Sequence, residues 1–306
     1  MAAPSVPPDH PALRLPAAQL AGRIQDTLIG QGVTAQAVEA AVSSALELGF
    51  HALIVPGSWV WLARRMLAGT SRGSARSGSS GSGPAMANGP ASSNGAASSN
   101  GTAGSNRTAG SNGIAGSNGN ADSNGMADSN GMAGTALRLG SIVDFPYGSA
   151  TTAARVADAA ALVEAGVDEL DATVNIGYLL SGRHSEFADD LAAVVRAAAP
   201  VGVKFMLELP LLDARLREVA VAAAVDSGAA YVKNASSGAV GIADPASIAY
   251  LRKSVPPSVG VKASGGIKTV QQVRELLAAG ADLIGTSSGV SIVTGQRIVA
   301  GSLYSY

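Results

Sequence analysis

Cysteine is missing from all 306 residues, which excludes disulfides and thiolate metal sites and fits a reducing compartment. The histidines, His10, His51 and His184, are scattered and form no ligand cluster, so no metal site is expected. Charge of one sign never accumulates. The net charge is −1 and no block of like charges occurs, which argues against a nucleic-acid or anionic-membrane surface. No apolar run reaches the roughly 18 residues of a transmembrane helix. The opening MAAPSVPPDH has neither a basic n-region nor an apolar h-region, so no secretory signal is expected and a cytoplasmic location is the default. No GxGxxG follows the first apolar run, which counts against a dinucleotide-binding fold.

Hydrophobic residues make up 47% of the chain, enough for a sizeable core. Residues 70–134 differ in kind, being mostly Gly, Ser, Ala and Asn. From Ala103 a six-residue period sets in, AGSN at 103–106, 109–112 and 115–118, then ADSN at 121–124 and 127–130. Without aromatics and with few large aliphatics, such a segment cannot bury enough apolar surface to offset its ordering entropy. It reads as a disordered, low-complexity insertion. A hexapeptide β-helix would need a large aliphatic on every turn, and only Ile114, Met126 and Met132 come near that role. Without the insertion about 240 residues remain, the usual size of a (β/α)₈ barrel.

Those residues alternate short apolar runs with longer amphipathic ones. Strands are expected at 23–28, 51–56, 137–145, 168–174, 201–208, 230–234, 259–263 and 282–286. Helices are expected at 34–48, 59–68, 150–165, 213–227 and 269–279, the first and last opening on a threonine cap. Glycine closes several of them, at Gly49, Gly166, Gly228 and Gly280. Eight strands alternating with helices predict a (β/α)₈ TIM barrel. The expected organisation is a tail over 1–22, one barrel domain from 23–69 and 135–300, the insertion at 70–134, and a C-terminal tail over 301–306. The insertion then lies in a helix-to-strand loop, opposite the catalytic face.

Catalytic groups of barrels stand at the C-terminal strand ends. Here those ends offer Asp171 on the fourth strand, Lys204 and Glu208 on the fifth, Lys233 on the sixth and Lys262 on the seventh. Neighbouring strands would bring Lys233 and Lys262 together. Like charge and desolvation then lower one pKa, and a free amine attacks a carbonyl to form a Schiff base. The alternative is a pair of lysines salt-bridged to Asp171 and Glu208. Asp171 itself is either a proton shuttle or a plain ion-pair partner. After the seventh and eighth strands, Ser264-Gly265-Gly266 and Ser287-Ser288-Gly289 expose backbone N–H groups that suit a phosphate, unless they are only glycine turns. Trp59 and Trp61 read as packing.

With these residues in view, the chain resembles the deoxyribose-phosphate aldolase family from about Ile24 to Val293, the insertion excepted. The resemblance rests on Ile142-Val143-Asp144-Phe145-Pro146-Tyr147-Gly148, on Asp168-Glu169-Leu170-Asp171 with Asn175-Ile176-Gly177, and on Tyr231-Val232-Lys233. Its most specific stretches are Val261-Lys262-Ala263-Ser264-Gly265-Gly266-Ile267-Lys268-Thr269 and Gly285-Thr286-Ser287-Ser288-Gly289-Val290. It implies reversible cleavage of 2-deoxy-D-ribose 5-phosphate to glyceraldehyde 3-phosphate and acetaldehyde. Lys233 would be the Schiff-base lysine, Lys262 its neighbour and Asp171 the proton relay. Ser264, Gly265, Gly266, Ser287, Ser288 and Gly238 would bind the phosphate. No metal or organic cofactor is implied, and a homo-oligomer is allowed. A terminal tyrosine, Tyr306 here, would assist proton transfer.

Three places depart from the family pattern. Lys-Thr-Ser-Thr-Gly becomes Lys233-Asn234-Ala235-Ser236-Ser237-Gly238, with its glycine one residue later. Asp-His-Thr on the first strand becomes Gln25-Asp26-Thr27, and a one-residue slip on a strand reverses the face. Cys-Val-Asn-Pro becomes Ile54-Val55-Pro56-Gly57. These changes leave two further readings: a related lysine aldolase for another aldehyde, and a weakly catalytic barrel with a binding or structural role.

Overall fold

The computed structural model describes residues 7–74 and 136–296. The insertion beyond Ser74, the first six residues and the C-terminal tail with Tyr306 lie outside the described residues. Eight parallel strands close into a barrel in sequence order. They are β1 (Ile24–Thr27), β2 (Ala52–Ile54), β3 (Arg138–Val143), β4 (Glu169–Thr173), β5 (Gly202–Met206), β6 (Tyr231–Lys233), β7 (Gly260–Ser264) and β8 (Leu283–Thr286). Each falls within or within a residue of the expected run. Closure is direct: Gln25 pairs with Gly285 on one side and Ala52 on the other.

Among the described residues ten helices accompany the strands: α1 (Ala17–Leu20), α2 (Ala35–Leu48), α3 (Val60–Ser74), α4 (Thr152–Glu164), α5 (Ile176–Leu180), α6 (His184–Ala198), α7 (Ala214–Asp226), α8 (Pro245–Ser254), α9 (Val270–Ala278) and α10 (Gly289–Thr294). Side chains that accept from exposed first-turn amides explain several starts. Thr34 accepts from Ala37, Thr151 from Ala154, Asp213 from Leu216 and Asp244 from Ser247. Thr269 and Gln272 bond reciprocally as a capping box at α9. No helix among the described residues is long and apolar enough to cross a membrane.

Two boundaries differ from expectation. The stretch expected as a tail is built into the domain through 3₁₀ turns at Pro11–Arg14 and Ala21–Arg23 and the short α1. Leu20 and Ala21 are buried, and Arg274 of α9 donates to the Leu15 carbonyl at 2.7 Å. Its prolines left no periodicity to read in the sequence. Helix α3 also continues to Ser74, six residues past its expected end.

The apolar core fills the layer between strands and helices. On β4, Leu170 and Ala172 face the helices, while Glu169, Asp171 and Thr173 alternate with them and face the interior. Val203 and Phe205, Val232, and Val261 and Ala263 repeat the outward pattern on β5, β6 and β7. Lys204, Lys233 and Lys262 therefore turn into the barrel.

Candidate active site

Lys233 and Lys262 are register partners across β6 and β7. Both amines reach one atom, Oδ2 of Asp171, Lys262 Nζ at 2.6 Å and Lys233 Nζ at 3.1 Å. The three residues singled out in the sequence thus form one cluster. A third lysine joins it. Lys204 Nζ lies 3.5 Å from the other Asp171 oxygen and 3.1 Å from Glu169 Oε2. Gln25 on β1 donates to Glu169 Oε1 at 2.5 Å. All of these side chains are buried. Glu208, the other carboxylate offered as a lysine partner, instead accepts from the Ser236 amide at 3.0 Å.

Burial favours the neutral form of Asp171, but Lys262, Lys233 and Lys204 outweigh it and hold the carboxyl well below the usual range. Burial pushes the Lys262 ammonium down to about 7. Asp171 opposes that fall, and Lys233 and Lys204 add to it. The sequence reading gave like charge the first place, whereas in the folded chain desolvation is the larger cause. Room for the Lys262 stem comes from β8: a Cβ at Gly285 would stand 2.8 Å from Lys262 Cε.

A half-open cleft of about 550 Å³, part of it open solvent, lies above this cluster. Lys233 lines it, whereas Lys262 and Asp171 lie beneath. Gly238, Ser264, Gly265, Gly266, Ser287 and Ser288 line it as well, joined by Thr27, Phe145 and Lys268. The six residues expected at the phosphate therefore line one cleft. They are not equivalent. The Ser264 amide donates to Asn234 Oδ1 at 2.8 Å and its hydroxyl to the Ala235 carbonyl at 2.6 Å. The Ser288 amide donates to Thr286 Oγ1 at 3.0 Å. Those donors hold the loops in shape. Gly265 adopts φ 111°, and a Cβ there would collide with the Gly241 carbonyl, so only glycine lets the two loops meet.

Asn234, which departs from the family pattern directly after Lys233, clamps β7 by bonding the Ser264 carbonyl at 2.9 Å and the Ser264 amide. The displaced Asp26 points away from the lysines and accepts from the Gly289 amide at 3.2 Å. Burial raises its carboxyl to about 6, against the pull of the Gly289 and Thr27 amides. Gln25 takes the inward position. Sequence reasoning assigned no role to Lys204, Glu169 or Lys268. The alternation of Glu169 and Asp171 with Leu170 and Ala172 was the available sign that both carboxylates share the inner face.

No family model matches the sequence. Curated relatives do. The deoxyribose-phosphate aldolase of Brevibacillus brevis is 39% identical over 171 residues, covering 56% of this chain and 77% of the relative. That of Thermococcus kodakarensis is 38% identical over 161 residues, 52% of this chain and 72% of its own length. Among solved structures, a tetrameric deoxyribose phosphate aldolase from Aeropyrum pernix matches with a TM-score of 0.64 at 23% identity. That match covers 94% of this chain and 97% of the other, a likeness of fold.

Proposed function

The chain belongs to the deoxyribose-phosphate aldolase family, and from that membership we propose that it cleaves 2-deoxy-D-ribose 5-phosphate reversibly to D-glyceraldehyde 3-phosphate and acetaldehyde through a Schiff base on Lys233. The observation that carries this reading is the placement of Lys233. It borders the cleft while sharing an Asp171 oxygen with the buried Lys262.

In this reaction the Lys233 amine adds to the C1 aldehyde of the open-chain sugar, and loss of water gives an iminium. Asp171 takes the proton of the C3 hydroxyl. The C2–C3 bond breaks, its electrons passing into the iminium to leave an enamine, and glyceraldehyde 3-phosphate departs. Asp171 returns a proton to C2, and water then releases acetaldehyde from Lys233. Lys262 accepts or shares the Asp171 proton and limits the charge on Lys233. The amides of Gly238, Gly265, Gly266 and Ser287, with the Lys268 ammonium, hold the 5-phosphate. The lysine serves as the electron sink, so no cofactor is required.

Incubation with acetaldehyde, borohydride reduction and peptide mapping should place a two-carbon adduct on Lys233. A folded protein that forms no adduct there would remove the Schiff base from the mechanism. The inward-facing Gln25 favours one second reading, an aldolase of the same chemistry with another aldehyde preference. Comparing turnover with and without the 5-phosphate separates the two. A homo-oligomer in the cytoplasm completes the proposal, and light scattering on the purified protein measures its assembly.

A further inference from the structure

The proposed mechanism leaves Lys204 without a step, although burying an ammonium is costly. Its surroundings give it a different task. Within the barrel, Glu169 and Asp171 lie against Lys204, Lys233 and Lys262. Two carboxylates cannot neutralise three ammoniums, and a buried amine without a counter-charge gives up its proton. Lys204 stands 3.1 Å from Glu169, to which neither mouth lysine is bridged, and 3.5 Å from the Asp171 oxygen that the other two do not use. We propose that Lys204 and Glu169 are positioning residues for the Schiff-base lysine: Glu169 serves Lys204, which leaves Asp171 as the one ion-pair partner that Lys233 and Lys262 share, so that only one of those two holds a proton. The inference rests on the reading of Lys233 as the nucleophile.

Every element around the pair fits this count. From β1, Gln25 gives Glu169 a neutral donor. Ahead of β2, His51 lies 3.9 Å from Glu169 Oε2, and burial lowers it to about 4, so it is uncharged near neutrality. From β3, Arg138 stands 3.8 Å from the same oxygen, but half its side chain is in solvent, where its charge is screened. From β6, the Tyr231 ring lies 5.8 Å from Lys204 Nζ and favours the ammonium. Glu208 accepts from the Ser236 amide; burial raises its carboxyl while that amide and Lys233 lower it, and it forms no ion pair with the three lysines among the described residues.

The test is the acid limb of the pH profile, read both as kcat/KM and as borohydride-trapped acetaldehyde. Lys204→Met removes a positive charge, lets both mouth lysines keep their protons and should move the limb up by about one pH unit or more. Glu169→Gln removes a negative charge and should move it down. The double variant should return the midpoint toward that of the parent. A role in packing alone would lower rates without opposed shifts. Adduct formation in the parent, with midpoints unmoved in the single variants, overturns this inference and leaves the aldolase reading standing. No parent adduct at any pH overturns both. If the single variants do not fold, the parent labelled with ¹⁵N-lysine decides. Lys204 should keep its ammonium while the Lys233 and Lys262 pair loses one proton, and loss from Lys204 first overturns the proposal.

Discussion

Lys262 is the residue on which pH should act most visibly. Its ordinary value of 10.5 falls to about 7, chiefly through burial. The unfolded chain therefore binds one more proton than the folded chain between those values, and stability from this group rises with pH across that window. Thermal melts from about pH 7 to pH 9 should show the rise, and Lys262→Leu should flatten it. The same variant should fold and lose about 100-fold or more in kcat/KM near neutrality, since no amine would then accept or share the proton that Asp171 takes from the substrate. Unchanged turnover would take Lys262 out of the mechanism. Lys268, exposed on the cleft wall, is the other residue to probe. Lys268→Gln should raise KM for the phosphorylated sugar about tenfold, a loss of roughly 1.4 kcal/mol. Equal KM values in parent and variant would show that Lys268 does not meet the phosphate.

Elements carry the site by register and by clamps. A Cβ at Gly285 of β8 would stand 2.8 Å from the flexible end of Lys262 and 3.3 Å from the Ser264 Cβ. Gly285→Ala should therefore leave the denaturant midpoint nearly unchanged while lowering activity about tenfold or more, because the amine is pushed off Asp171. Retained activity would mean that the lysine has room to spare. The loop after β3, which brings Phe145 to the cleft, is held from α4. Buried Arg155 pairs with Asp144 at 3.1 Å and with Asp190 of α6 at 3.2 Å. Arg155→Met takes the counter-charge from both carboxylates, which keep only the Ala150 amide and the Thr152 hydroxyl as donors, and should cost about 3–5 kcal/mol in equilibrium unfolding. The helices α2, α4, α7 and α9 were legible in the sequence, and each starts on a side chain that accepts a first-turn amide. α5, α6 and α10 lack such a bond, so their starts carried no local sign. Helix α8 had one, Asp244 before Pro245, and it went unused.

At the scale of the whole molecule, the long insertion interrupts the barrel sequence between α3 and β3. The described elements that flank residues 75–135 are the end of α3 and the start of β3, and in a (β/α)₈ barrel a helix-to-strand junction stands at the strand N-termini, away from the catalytic strand ends. Replacing 75–134 with a short Gly/Ser linker should keep kcat/KM within about threefold, since each αβ loop can be changed without touching the βα loops. A variant that folds but has lost activity would show that the replaced segment takes part in catalysis.

The sequence alone determined the alternation of strands and helices and named Lys233, Lys262 and Asp171, because apolar rhythm, caps and glycine-rich strand ends are local signals. It could not determine which polar residues share the interior. That depends on barrel closure, which sets the face each residue takes: Gln25 inward on Glu169, Asp26 outward on the Gly289 amide. Closure also decided that Lys204 and Glu169 join the lysine cluster, and that Ser264 and Ser288 spend their amides on neighbouring loops. The physical reason is that burial and charge pairing are properties of side chains brought together from distant strands, and only the closed barrel brings them together.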